Sequence, residues 1–153
     1  RMMNEGVFVG LGTDGAASNN DLNMWEEMDT VAKLHKVFSG DPKVISAQQA
    51  FELATIRGAQ ALHLDKEIGS LETGKRADLL IIERDALNQI PLYNIYSDLV
   101  YATKGSDVES VIINGRIVMQ DRRLLTLNEV AIKRDARVFR EKIAKSLNIS
   151  PEK

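Results

Sequence analysis

The stretch Gly6-Val7-Phe8-Val9-Gly10-Leu11-Gly12-Thr13-Asp14 constrains the chain more than any other. Its apolar residues are nearly consecutive instead of alternating with polar ones. Both faces of such a run call for burial, the pattern of an interior parallel strand. A parallel strand needs partners joined to it by crossovers, so the run points to an α/β fold. It stops at a carboxylate, Asp14, and gives way to Gly15-Ala16-Ala17-Ser18-Asn19-Asn20, a run of small and amide-bearing residues.

From about Asn20 to Phe38 the periodicity is helical. Met24, Met28, Val31, Leu34 and Phe38 recur every three or four positions, while Glu26, Glu27, Lys33 and Lys36 point away. Gly40-Asp41-Pro42 supplies the stop. Ser46-Ala47-Gln48-Gln49 has the spacing of a capping box and predicts a second helix running to about Leu62. Its expected buried stripe, Ala50, Phe51, Ala54, Gly58 and Ala61, is made of small residues apart from Phe51, so its backbone can approach a neighbour closely. Arg57 and Gln60 lie off that stripe.

Beyond Asp65 the period changes to that of strands. Ala77 to Glu83 is a β-rich run, and Asp98 to Thr103 is expected as a shorter strand. Val108 to Ile113 and Arg116 to Met119 flank Asn114-Gly115, the pair that tolerates the positive φ angles of a type I′ hairpin turn. A turn at 120–123 precedes Leu124 and Leu125. Ile132, Ala136, Phe139, Ile143 and Leu147 define a closing amphipathic helix over 128–147. No internal repeat or low-complexity segment interrupts this order.

Composition excludes several classes of function. The 153 residues are 44% hydrophobic, enough for one ordinary core. A net charge of −2, with dispersed Lys and Arg, gives no basis for binding nucleic acid or an anionic membrane. The absence of cysteine removes disulfides, thiolate nucleophiles and Cys-ligated zinc, and fits a reducing cytoplasm. No apolar run reaches the roughly 20 residues of a spanning helix. Neither a nucleotide phosphate loop nor a Gly-x-Ser-x-Gly elbow is present. The 69–75 stretch reads as a β-turn with a solvated Lys75. Trp25, Tyr93, Tyr96 and Tyr101 are too scattered for a base-stacking platform and read as packing.

Asp14 is the first candidate for chemistry, because ligands collect at the carboxyl ends of parallel strands. Its neighbours Gly12, Gly15, Ala16 and Ala17 leave the carboxylate unobstructed, and Ser18, Asn19 and Asn20 offer hydrogen bonds around it. Asp is equally common as a cap of a turn or helix, and spacing alone leaves both roles open. The two histidines do not complete a metal site. His35 lies within the first helix, off its apolar stripe, and His63 sits at the carbonyl end of the second, where a cation suits the dipole. A catalytic zinc takes about three protein ligands, and only Asp14 is well placed.

The segments "GLGTDGAASNNDLNMWEEM", "ATIRGAQALHLDKEIGSLETGKRADLLIIE" and "VESVIINGRIV" resemble the C-terminal part of metal-dependent amidohydrolases. The nearest likeness is to the subgroup of 5-methylthioadenosine/S-adenosylhomocysteine deaminases, relatives of the chlorohydrolases. The resemblance runs from Val7 to about Met119, with the last helix matching more loosely. It implies that Val7 to Asp14 is the eighth strand of a (β/α)₈ TIM barrel, with Asp14 a metal ligand and the catalytic proton carrier. It implies a division into barrel strand 8 with its following helices (1–65), the C-terminal part of a small β-sandwich (66–127) and a closing helix (128–153). The cofactor implied is zinc or iron in the parent enzyme, with none firmly held by this chain alone, because the His-x-His pair, the later histidine ligands and the proton-donating glutamate of the family are not in this sequence.

The chain opens Arg1-Met2-Met3-Asn4, and the expectation is a C-terminal piece of a larger hydrolase, inactive alone. The parent is expected in the cytoplasm as a homo-oligomer that removes the exocyclic amine of an adenosine-type purine nucleoside. Two alternatives stay open: a chlorohydrolase, guanine or cytosine deaminase of the same superfamily, and a stand-alone assembly module without chemistry. In the last case the apolar first strand would be exposed unless another chain covered it.

Overall fold

Asn23 sets the start of the longest helix before the core. Its side-chain oxygen accepts from the Trp25 amide at 3.2 Å, and helix α2 runs Met24–Ser39, ending at Gly40. A single turn, α1 (Ala16–Asn19), precedes it, so the helical region near residue 20 is two elements with a break. The computed structural model describes residues 2–149. Ser46 and Gln49 form the expected capping box: the Ser46 hydroxyl accepts from the Gln49 amide at 3.2 Å, and the Gln49 side chain accepts from the Ser46 amide at 2.9 Å.

The helix that this box starts is shorter than the periodicity predicts. Thr55, at φ −126° and ψ −105°, interrupts it, dividing α3 (Ala47–Ala54) from α4 (Ile56–Ala61). The break rotates the buried face. Ala50 and Leu53 are buried on α3 and Ala59 on α4, so Leu53 and Ala59 join the buried set from outside the expected stripe. Met28, Ala32, Ala50 and Val100 form the centre of the core, with Leu11, Trp25, Val31, Phe51 and Tyr101 packed around it. Phe51 meets Tyr96 edge to face at 5.8 Å. Only part of the α2 stripe is covered: Leu34 is 61% and Phe38 89% exposed.

The structure corrects two sequence expectations in this region and beyond it. Residues 98–103 are helical instead of extended: α5 (Ile95–Ser97) runs into a π-helical turn, Asp98–Ala102, closed by the Thr103 amide donating to the Asp98 carbonyl at 2.9 Å. Asn94 caps the start by accepting from the Ser97 amide, and this local bond outweighs the strand preference of Val100 and Tyr101. Lys75 is likewise not solvated. Its side chain is 11% exposed, and its ammonium donates to the Ser70 hydroxyl at 2.6 Å.

The second half of the chain forms a four-stranded antiparallel sheet in the order β1 (Leu79–Ile82), β2 (Val108–Ile113), β3 (Arg116–Gln120) and β4 (Arg123–Leu124). The β2–β3 hairpin turns on Asn114 and Gly115 at φ 50° and 75°, as the Asn-Gly pair predicts. Asp78 locks β1 to that turn by accepting from the Asn114 amide at 2.5 Å, and the Gly115 amide donates to the Ala77 carbonyl. Asn128 caps the closing helix, α6 (Glu129–Ser146); its apolar residues Ile132, Phe139 and Ile143, and Leu147 just beyond it, are about half exposed or more.

The opening apolar run differs most from expectation. Among the described residues it joins no ladder, and Val7 and Phe8 are 51% and 60% exposed. A parallel strand needs a neighbour on each side, and no described segment lies alongside it in that register. The run is tied to the helices by the Leu11 amide donating to the Leu53 carbonyl at 3.1 Å and by the packing of Leu11 on the core, and at its end by the Asn19 side chain donating to the Thr13 carbonyl at 3.0 Å.

Candidate functional site

Asp14 sits where the opening run meets α1, with its backbone in the left-handed region at φ 58°. That conformation is uncommon outside glycine, although Asp and Asn tolerate it better than most residues. The chain supports it locally. The Gly15 amide donates to Asp14 Oδ1 at 2.7 Å, and the Gly15 carbonyl accepts from the Ser18 and Asn19 amides, each at 3.0 Å. The cap reading of Asp14 therefore holds only for the next amide, because α1 takes its first turn from Gly15 and has no side-chain cap.

Asp14 is exposed. The Ser18 hydroxyl beside it and the Gly15 amide favour its charged form and hold its carboxyl below the usual aspartate value. The same hydroxyl also donates to the Gly15 carbonyl at 3.0 Å. One proton serves both acceptors, so the Gly15 amide is the steadier support.

Gly12, Thr13, Asp14, Ser18, Asn19 and Glu27 line an open concavity of about 230 Å³. The floor comes from the end of the opening run, one wall from α1, and the other from Glu27 on α2. Asn19 joins the two walls: its Nδ2 donates to the Thr13 carbonyl at 3.0 Å and to Glu27 Oε1 at 2.8 Å. Helical period alone places Glu27 on a solvent face. In the structure it is half-buried and faces Asp14's neighbours. No local pattern marks it, because its partner lies eight residues away across the break between α1 and α2.

His35 lies exposed on α2, and His63, at φ 57°, just beyond α4; neither lines the concavity. Among the described residues no group of three or more His, Cys, Asp or Glu is placed to hold a metal ion. A divalent ion takes several ligands, and the donor chemistry here fits one of those positions, the ionised and unobstructed Asp14 carboxylate. Among the described residues no helix is long and apolar enough to cross a membrane.

Comparison with known proteins places the chain, though not this concavity, in a family. The model of the amidohydrolase family matches residues 1–118. The chain is 47% identical over 147 residues, 96% of its length, to 5-methylthioadenosine/S-adenosylhomocysteine deaminase 1 of Syntrophus aciditrophicus, and covers 33% of that protein. It is 40% identical over 148 residues to the 5'-deoxyadenosine deaminase of Methanosarcina barkeri, covering 97% of the chain and 34% of the relative. A crystal structure of an adenosine deaminase from Xanthomonas campestris with bound zinc superposes with a TM-score of 0.90 at 37% identity, over 94% of this chain and 33% of that one. The chain thus spans about a third of the length of the relatives it matches.

Proposed function

The chain belongs to the amidohydrolase family, and from that membership we propose that it forms part of a metal-dependent aminohydrolase acting on adenosine-type purine nucleosides. The observation that carries the reading is Asp14: an ionised, unobstructed carboxylate at the rim of an open concavity, in a chain closely similar to hydrolytic deaminases. In this proposal residues 1–65 complete the barrel of the whole protein, 66–127 contribute to its sandwich, and the stretch from 128 closes it with α6, Glu129–Ser146, residues 150–153 of the expected closing segment lying outside the described residues. Zinc or iron is the ion, with Asp14 one of its ligands and the other ligands outside this sequence.

When bound, a divalent ion polarises a water and lowers its pKa toward neutrality. Asp14 then carries the proton. Its carboxylate accepts the proton that the water loses as oxygen bonds to the purine amine carbon, and delivers it to the exocyclic nitrogen as the carbon–nitrogen bond breaks. The products are the oxo-purine and ammonia. A carboxylate suits this task because it is ionised before the reaction and weakly basic enough to release the proton again.

The names of the relatives favour methylthioadenosine, S-adenosylhomocysteine or 5'-deoxyadenosine as substrates over guanine, cytosine or chlorotriazines. The lack of cysteine supports a cytoplasmic setting.

The test is Asp14→Asn in the complete metal-loaded protein, assayed with a panel of adenosines, guanine, cytosine and chlorotriazines. Turnover of the adenosines should fall about a hundredfold or more with the melting temperature unchanged. Near-normal rates in the variant would refute the role of Asp14. Preferred turnover of a base or a triazine would refute the substrate class.

A further inference from the structure

We propose that Asn19 is a positioning residue that aims the Asp14 carboxylate by clamping the backbone immediately before it, and that Glu27 orients the Asn19 amide for this task; the inference rests on the role given to Asp14 above. The amide nitrogen of Asn19 carries two protons, and both are used. One goes to the carbonyl of Thr13 at 3.0 Å and the other to Glu27 Oε1 at 2.8 Å. The first bond crosses six positions of sequence and the second eight. Together they tie the end of the opening run to α2 through a side chain of α1.

The bond to Thr13 matters because the next residue is strained. Asp14 adopts φ 58°, a conformation that persists in a non-glycine residue only when its surroundings over-determine it. The peptide after Asp14 is held locally, by the Gly15 amide donating to Asp14 Oδ1 at 2.7 Å and by the Thr13 hydroxyl donating to the Asp14 carbonyl at 3.2 Å. On the preceding peptide, the Thr13 carbonyl is held by Asn19 Nδ2. Without that bond the Thr13–Asp14 peptide is free to rotate toward ordinary φ values, and the carboxylate swings with it.

Glu27 contributes by chemistry that only an acceptor can supply. An amide side chain is symmetric enough in shape to flip, presenting its oxygen where its nitrogen stood. With Glu27 Oε1 at 2.8 Å, the flipped state would set an oxygen against a carboxylate, so the nitrogen is kept facing both acceptors. Neither residue has to touch the substrate for this to operate.

The experiment uses the complete metal-loaded protein with four variants, Asp14→Asn, Asn19→Ala, Glu27→Gln and Glu27→Leu, and three readouts: kcat and KM separately, metal retention against a competing chelator, and melting temperature. Asn19→Ala should lower kcat and weaken metal retention by about 10- to 100-fold, as loss of the group supporting a ligand does, with KM changed little. Glu27→Gln keeps an acceptor oxygen for Asn19 and should behave nearly as the parent, whereas Glu27→Leu should follow Asn19→Ala. Unchanged kcat and metal retention in Asn19→Ala would overturn the inference while leaving Asp14's role intact, provided Asp14→Asn is inactive. If Asn19→Ala does not fold, the two Glu27 variants decide: equal behaviour of Gln and Leu overturns the proposal, as does failure of both to fold. Turnover retained by Asp14→Asn would instead remove the premise.

Discussion

Gly10 and Gly58 meet backbone to backbone: a Cβ on Gly10 would lie 2.8 Å from the Gly58 Cα. This contact, with the Leu11 amide on the Leu53 carbonyl, sets the opening run against the start of α4, four residues before Asp14. A Gly10→Ala substitution has no flexible side-chain tip to push aside, so α4 or the run must shift. The expected cost is about 1–3 kcal/mol of stability, the usual range for overpacking. Gly12→Ala, which meets nothing within 4 Å, should stay within about 0.5 kcal/mol. Chemical denaturation of the two variants beside the parent checks the pair, and equal losses would show that the close approach is not tight.

The capping box at Ser46 gives a second expectation. The Ser46 hydroxyl and the Gln49 side chain satisfy two amides at the start of α3, and α3 carries Ala50 and Leu53 into the core. Ser46→Ala should cost about 1 kcal/mol, and Ser46→Asp, which keeps an acceptor at the cap, should cost little. Thermal melts of both variants separate loss of the cap from loss of side-chain volume.

The hairpin at Asn114-Gly115 was legible residue by residue, and so was the Ser46 box, because each is fixed by bonds between neighbours in sequence. What the sequence did not disclose depends on distant contacts or on local strain. Thr55 breaks a helix whose period runs on undisturbed, so Leu53 and Ala59 enter the core unannounced. Residues 98–102 carry β-forming side chains yet close as a π turn under the Asn94 cap. Asp14 was visible as a candidate from its small neighbours. Glu27, which completes the Asn19 clamp, was not, because amphipathic periodicity reports on the face of a helix and not on what a loop lays over it.

Arg84 and Asp98 offer a third test. The Arg84 Nη1 to Asp98 Oδ2 distance is 2.5 Å, and the Asp98 side chain is only 9% exposed, so it is the most enclosed carboxylate among the ion pairs of the described residues. Asp98 also starts the π turn whose carbonyl takes the Thr103 amide and hydroxyl. Removing the cation leaves an enclosed charge without its partner, which costs more than losing a surface pair. Arg84→Met should therefore destabilise the protein by about 2–4 kcal/mol, against less than about 1 kcal/mol for Lys133→Met at the exposed pair with Glu129. Equilibrium unfolding in urea measures both.

Acid should reveal the pairing of Glu52 with a definite sign. The Arg57 guanidinium, bonded to it at 3.0 Å, and then the Gln48 amide hold the Glu52 carboxyl below its ordinary value of 4.5. A group whose folded value is depressed contributes stability above the unfolded value and loses it as pH falls through the folded one. The contribution is therefore fully present above about pH 5, shrinks below 4.5, and vanishes once Glu52 is protonated in both states. With Arg57 40% exposed, solvent screening limits the pair to a few tenths to about 1 kcal/mol. Comparing Arg57→Met with the parent by thermal melts from about pH 7 to about pH 3 should show a gap constant down to about pH 5 that closes in acid. A gap that stays constant throughout that range would mean that Arg57 stabilises the α3–α4 junction through its aliphatic stem and not through Glu52.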